Sequence, residues 1–348
     1  MNKIKVDLFS DTGTRPSREM RRFMAEAEVG DEQLMEDPSV NKLNQIVARL
    51  LGKEEAIYLP SGLMANQISY AVHCHPGDEI IMDKTAHPIH FEGGAVAIIS
   101  GASIRPLDGI NGVFTAEQLE EAIRSEEYHD PQSRLVSIEQ TSNLGGGTVW
   151  SLETIRGICQ TARKHDLALH MDGARLLNAS AYSGISPADY AEGFDSVWID
   201  LSKGLGAPVG SVLAGSKEFI NKARYWKQRL GGAMRQAGII AAGGIYALEN
   251  NVERLKEDHE NARYLAEALI NFPEIKLNLE TVQTNIILFT IKGITASELV
   301  GKLLEKGVRL SVMGKDQLRA VTHLDVSRED IDYVIQIFQE VLKINKEV

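Results

Sequence analysis

Short apolar runs rich in β-branched residues alternate with longer stretches of helical periodicity over the first two thirds of the chain. The strand candidates are AIYLP (56–60), DEIIMD (78–83), AVAIIS (95–100), RLVSIE (134–139), LALHMD (167–172), SVWIDL (196–201) and GSVLAG (210–215). Between them lie amphipathic segments with apolar residues at i, i+3 and i+4. One runs from Ser39 to Leu51, with Leu43, Ile46, Val47 and Leu50 on one face, and Asp37-Pro38 supplies a capping carboxylate and a proline at the first helical position. Another runs from Ser151 to His165, with Leu152, Ile155 and Cys159 facing inward. Strands that are apolar throughout and separated by helices predict a mainly parallel sheet covered on both faces, hence an α/β fold.

From Gln236 to Phe272 the rhythm changes to one long helical region. After it come KLNLE, NIILFTI, RLSVM and RAVTH, with helices near 296–306 and 327–342. The change predicts a large domain over residues 1–250, with an N-terminal arm of about 1–15, and a smaller C-terminal α+β domain over 251–348.

Composition narrows the choice of partners. The 348 residues are 43% hydrophobic and 24% charged, as in ordinary globular proteins with a substantial core. A net charge of −11 argues against nucleic acid, whose binding relies on Lys and Arg displacing counterions. Cys74 and Cys159 lie far apart and outside any C-x-x-C spacing, which fits a reducing compartment. The first residues lack an apolar signal core and no run reaches about eighteen apolar residues, so a cytoplasmic chain without membrane contact is expected.

Lys203 follows an apolar run and precedes a Gly/Pro-rich loop, in DLSKGLGAPVG. Desolvation there would free its amine for attack on an aldehyde, although an exposed lysine in a glycine-rich turn reads the same way. Asp172 closes the strand LALHMD, where parallel sheets bind ligands, and lies one strand–helix–strand unit before Lys203. A carboxylate at that place can keep the pyridine nitrogen of pyridoxal phosphate (PLP) protonated, or simply cap the next segment. Ser61, Gly62 and Leu63 follow a strand and open a helix, offering backbone N–H groups to a phosphate. His87 follows another strand and suits ring stacking or proton transfer. Pro88 interrupts the spacing of His87 and His90, and His73 and His75 are two apart, so no metal site is expected. Arg175 and Arg319 are candidates for a substrate carboxylate and Arg235 for a phosphate.

The segments DLFSDTGTRPS (7–17), VGDEQLMEDPSVNKL (29–43), YLPSGLMANQ (58–67), HMDGARLLNAS (170–180), LSKGLGAPVGSVLAG (201–215), RLGGAMRQAG (229–238), QTNI (283–286) and VTHLDVS (321–327) resemble the low-specificity threonine aldolases. These are PLP-dependent enzymes of the transferase fold type I, that of aspartate aminotransferase. The resemblance implies that Lys203 carries PLP covalently, that Asp172 meets the pyridine nitrogen and that His87 stacks on the ring. It places Ser61, Gly62, Leu63 and Ser202 around the phosphate, which Arg235 of a neighbouring subunit approaches in a homotetramer with active sites shared across a dimer interface. Ser10, Arg175 and Arg319 would hold the substrate carboxylate.

Four departures bear on the substrate. Phe9 stands where the family has Arg, Leu34-Met35 replace Tyr-Gly, Leu63 replaces Thr, and Ser142 replaces a histidine thought to contact the substrate hydroxyl. A hydroxyl is a far poorer base than imidazole, which leaves Ser142 to orient the substrate and His87, or a water it positions, to move the proton. Phe9, Leu34 and Met35 could make the pocket more apolar. The expected function is cleavage of L-threonine, L-allo-threonine or a related β-hydroxy amino acid to glycine and an aldehyde. Four alternatives stay open: β-elimination, transaldol transfer, cleavage of a bulkier substrate such as phenylserine, and a weakly catalytic PLP-binding protein.

Overall fold

A computed structural model describes residues 4–125 and 127–344. Seven strands build the main sheet: β1 (Glu55–Leu59), β2 (Glu79–Asp83), β3 (Ser103–Leu107), β4 (Ser133–Glu139), β5 (Ala168–Gly173), β6 (Ser196–Asp200) and β7 (Ser211–Gly215). Their order is β1-β7-β6-β5-β4-β2-β3, and only β7 runs antiparallel to its neighbours. The chain leaves β6 at Asp200 and turns straight back into β7, so the Lys203 loop is a tight return rather than a helical crossover. Three inner strands, β2, β6 and β7, are buried along their whole length, as the continuous apolar runs require.

Helices cover both faces. Pro38–Leu50 starts where expected: the Asp37 carboxylate accepts the Val40 N–H at 3.0 Å, and Leu43 and Val47 enter the core. Asp37 is itself buried and also accepts N–H bonds from Gly30 (3.2 Å) and Gly238 (2.8 Å), joining three segments. Leu152–Lys164 begins under a Ser151 cap.

The structure corrects three expectations. AVAIIS (95–100) forms a short helix, Ala95–Ile99, with Ile98 81% exposed. The strand is the next segment, SIRPL (103–107); as β3 it lies at the sheet edge, where the missing N–H of Pro106 costs no ladder bond. The region 236–272 is two helices, Gly238–Asn250 and Leu255–Leu269, and Asn251 in the break donates to the Leu205 carbonyl at 2.7 Å. RLSVM divides as well: Val308–Arg309 pairs in parallel with Val6–Asp7, while Ser311–Val312 joins a second sheet.

That second sheet is antiparallel: β8 (Ile275–Lys276), β9 (Ile286–Ile291), β10 (Ser311–Val312) and β11 (Gln317–Val321), in the order β10-β11-β9-β8. It packs with helices Leu255–Leu269, Ala296–Glu305 and Arg328–Ile344 around a separate hydrophobic core, which also takes in Val6 and Leu8. Among the described residues, no helix is long and apolar enough to cross a membrane.

Removing the three-way acceptor should loosen the junction that Asp37 makes. Asp37→Ala is expected to destabilise by about 2–4 kcal/mol, a lost cap plus buried N–H groups without partners. Asp37→Asn should retain part of that, as chemical denaturation of the two variants would show.

Candidate active site

A cavity of about 1090 Å³ opens where the carboxyl ends of the parallel strands meet the second sheet. Glu139 ends β4, Asp172 lies next to the end of β5 and Asp200 ends β6, so three acids line one rim. Strand ends carry free backbone groups and the loops that follow them, which makes this rim the usual ligand crevice of such sheets.

Lys203 projects into the cavity from the return between β6 and β7. Its Nζ lies 3.3 Å from Asp200 Oδ2 and 5.7 Å above the Trp198 ring. The next residue, Gly204, adopts φ +72° and donates its N–H to the Asp11 carbonyl at 3.2 Å, a backbone turn that a side chain would strain.

Asp172 is buried with both oxygens occupied: Oδ1 accepts the Ala174 N–H at 3.0 Å and Oδ2 accepts Asn66 Nδ2–H at 2.8 Å. Burial raises its pKa, and Lys203 and the Asn66 bond oppose the rise. Glu139 sits directly opposite in the β4–β5 register. Burial, and then the Asp172 charge, push Glu139 up to about 7. It accepts N–H bonds from His87 and Asn143, each at 3.3 Å.

His87 opens a single helical turn and donates from Nδ1 to Glu92 Oε1 at 2.9 Å, leaving Nε2 as its second polar atom. Burial works against charge on the ring, but the Glu92 bond and the Asp172 carboxylate outweigh it, so the pKa rises.

Ser61, Gly62 and Leu63 line the cavity at the start of the helix Gly62–His73. Ser61 Oγ accepts the Met64 N–H at 3.2 Å, so the Gly62 and Leu63 N–H groups are the ones left at the positive helix end. A Cβ on Gly62 would stand 2.2 Å from the Trp198 ring, which explains the glycine. Ser202 also lines the cavity, with its hydroxyl donated to Asp200 Oδ1 at 2.7 Å.

At the other end are Ser10, Arg175 and Arg319. Ser10 caps a short turn, its Oγ accepting the Thr12 N–H at 3.2 Å. Arg175 donates from Nε and Nη2 to the two oxygens of buried Asp11, both at 2.7 Å. Burial favours a protonated Asp11, but the Arg175 guanidinium wins and holds it well below the usual carboxylate range. Arg319 donates to Asn143 Oδ1 at 2.7 Å and to the Phe9 carbonyl at 3.3 Å, and its buried Nε has no partner. Burial, then the Arg175 charge beside it, lower Arg319 to about 10. Two guanidiniums thus face one carboxylate, and the excess positive charge suits a bound anion.

Four residues singled out from the sequence fall elsewhere. Ser142 is buried behind the cavity, where its Oγ accepts the Gly145 N–H at 3.2 Å, and it does not line the space. A short side chain on a reversing loop cannot reach as an imidazole would. Arg235 pairs with Asp31 at 2.9 Å and its side chain is 63% exposed, outside this chain's own cavity. Leu34 and Met35, 63% and 60% exposed, lie on the same surface loop rather than in the pocket. Phe9 does line it.

Sequence reasoning missed Asp11, Asn66, Glu92, Glu139 and Asp200. Glu139 and Asp200 end apolar strands just as Asp172 does, so the rule that found one could have found all three. Asn66, Glu92 and Asp11 carry no such mark.

The family profile described as beta-eliminating lyase matches residues 7–292. The low specificity L-threonine aldolase of Escherichia coli is 40% identical over 327 residues, covering 94% of this chain and 96% of that one. The chain belongs to the beta-eliminating lyase family. A low-specificity L-threonine aldolase of Arabidopsis thaliana is 38% identical over 344 residues, covering 97% and 96%. The solved threonine aldolase of Leishmania major superposes with a TM-score of 0.83 over 97% of this chain and 99% of that one, at 18% identity. That likeness shows the fold, type I of the PLP-dependent enzymes. Within the family the chain groups with the low-specificity threonine aldolases, as its motifs imply, and it is a lyase.

The raised Glu139 pKa has a consequence for this lyase without ligand. Between the ordinary carboxylate value of about 4.3 and about 7, the unfolded chain has released a proton that the folded chain keeps. Stability should therefore fall as pH rises through that window, and Glu139→Gln should flatten the dependence. Urea titrations of the apoprotein at several pH values give the comparison.

Proposed function

We propose that the protein is a PLP-dependent aldolase that cleaves L-threonine, L-allo-threonine or a related β-hydroxy amino acid to glycine and an aldehyde. The observation that carries this reading is one cavity holding Lys203, Asp172, His87 and a helix start at one end and an arginine pair with surplus charge at the other.

These residues fit PLP. The Gly62 and Leu63 N–H groups, with Ser61 and Ser202, would hold its phosphate; Asp172 would face the pyridine nitrogen; His87 would cover the ring; Lys203 would bond to the aldehyde. When bound, PLP supplies an aldehyde for an amine and a ring that takes up the electron pair left at Cα when Cα–Cβ breaks.

The chain's own groups set which bond breaks. Arg319, which lines the cavity, binds the substrate carboxylate, and Arg175 adds charge while Asp11 keeps its fork in place. That grip orients the bonds at Cα. His87 takes the β-hydroxyl proton at Nε2, since Nδ1 is committed to Glu92. The same imidazole, at a raised pKa, can return a proton to Cα before glycine leaves. Ser142 has no part in these steps. The apolar wall of Phe9, Phe91, Leu288, Val312 and Met313 favours aryl or long-chain β-substituents as further substrates.

The reading includes a homotetramer with shared sites in the cytoplasm. Its support is the loop 29–35, whose exposed Val29, Leu34 and Met35 adjoin Arg235, joined to it by the Glu32 N–H to Arg235 carbonyl bond. Two free cysteines agree with a reducing compartment.

Glycine and aldehyde, measured together over L-threonine, L-allo-threonine and phenylserine, test the activity; a keto acid with ammonia would refute it. Lys203→Ala should lose at least about 10³-fold in kcat, and Asp172→Asn about 10²–10³-fold. Light scattering should find a tetramer, and Leu34→Lys with Met35→Glu should break it into smaller species with impaired cofactor retention.

A further inference from the structure

We infer that Asn66 is a positioning residue whose single amide ties Asp172 to the Glu92–His87 pair, anchored by a hydrogen-bonded row through His170, Ser196 and His73. The inference rests on the proposed PLP site, because it concerns how the groups at the ring nitrogen and on the ring face are held together.

The geometry fixes every donor. Asn66 is fully buried in the middle of the helix Gly62–His73. The Trp198 indole Nε1–H can only donate, and it lies 2.7 Å from Asn66 Oδ1. The amide nitrogen must then face the carboxylates, and it donates to Glu92 Oε1 and Asp172 Oδ2, both at 2.8 Å. The second atom on Asn66 Oδ1 is His170 Nε2, at 3.1 Å, which therefore carries a proton, and burial keeps this imidazole neutral. Its Nδ1 accepts from the Ser196 hydroxyl at 2.8 Å. Having given its only proton, the Ser196 oxygen accepts from His73 Nε2–H at 2.9 Å. No orientation along the row is left to choose. Burial lowers the pKa of both histidines, which agrees with neutral rings. His73 lines a second cavity, of about 580 Å³, at the other ends of the strands.

All four hydrogen-bonding positions of the amide are occupied, by His170 and Asp172 on β5, Trp198 on β6 and Glu92. Glu92 also accepts from His87 Nδ1 at 2.9 Å and Gln67 Nε2 at 2.5 Å. Asn66 therefore gives each of two buried carboxylates a proton of its own, one beneath the ring nitrogen and one behind the stacking imidazole. Without it Glu92 would keep His87 and Gln67 as donors, but Asp172 Oδ2 would lose the Asn66 N–H, and Asp172 would favour its neutral form. A neutral Asp172 cannot keep a pyridinium charged.

The test compares Asn66→Leu with Gln67→Leu in the purified holoprotein. Both remove a buried donor to Glu92, but only Asn66 also reaches Asp172. Asn66→Leu should weaken PLP binding about ten- to a hundredfold, the range for a lost hydrogen bond to a buried charge. It should also shift the pH titration of the visible absorption band and lower kcat, while the substrate KM, set at Arg319, stays within about threefold. Gln67→Leu should leave the band's titration in place. Should Asn66→Leu fail to fold, Asn66→Asp carries the test: it keeps the size and the acceptor for Trp198 and His170 but offers no N–H, and the same losses are expected. If either Asn66 variant bound PLP within twofold of wild type with an unshifted titration, or if Gln67→Leu reproduced the whole effect, the inference would be overturned. Failure of the wild-type protein to bind PLP would instead refute the functional reading.

Discussion

The buried ion pair between Asp11 and Arg175 is the constraint on which the rest of the site depends. Asp11 comes from the N-terminal segment and Arg175 from just beyond the end of β5, and both are buried. Asn285, at the start of the second sheet, donates to the same carboxylate at 3.0 Å, and the Gly204 N–H beside Lys203 donates to the Asp11 carbonyl. One residue thereby joins the first segment, the main sheet, the second sheet and the loop that carries the amine. Breaking such a pair by removing one partner typically costs about 3–5 kcal/mol, because the other charge stays buried. Here the loss would also release the wall of the cavity.

The pair shapes the electrostatics too. With its fork taken by Asp11, Arg175 contributes charge more than contact, and Arg319 is left as the guanidinium on the cavity wall that no carboxylate holds. Across the cavity the balance is reversed: Glu139, Asp172, Asp200 and Glu92 crowd together, opposed by Lys203 and His87. A positive end for a carboxylate and a negative end for a protonated ring lie within one space. This polarity is what the proposed chemistry needs, and it arises from which strand ends the topology brings side by side.

A comparison of elements shows how far linear pattern reaches. Six of the seven strand candidates for the main sheet lie on strands, because continuous burial writes itself as continuous apolarity. AVAIIS failed for the same reason: a short helix packed on one face reads like a strand, while the true edge strand, half exposed and containing proline, reads like a loop. The break at residues 251–254 escaped notice because helical periodicity continues across it. In the site, residues next to a strand end or a glycine-rich turn were legible: Lys203, Asp172, Ser61, Gly62 and His87. Ser142 was singled out by likeness to relatives and does not line the cavity; Arg235, a phosphate candidate assigned to a neighbouring subunit's site, does not line this chain's own cavity either.

By itself the sequence determined the α/β alternation, the helix cap at Asp37, and the attachment of an amine and an acid to consecutive strand ends. These are local matters of periodicity, capping chemistry and the order of residues along the backbone. Only the tertiary structure decided that β7 returns antiparallel, that Asp11 reaches Arg175 across 164 positions, and that Asn66 meets Asp172 across 106. A hydrogen bond between residues so far apart leaves no periodic trace, because either partner alone is simply a polar residue. Its meaning appears when both are buried together and each needs the other.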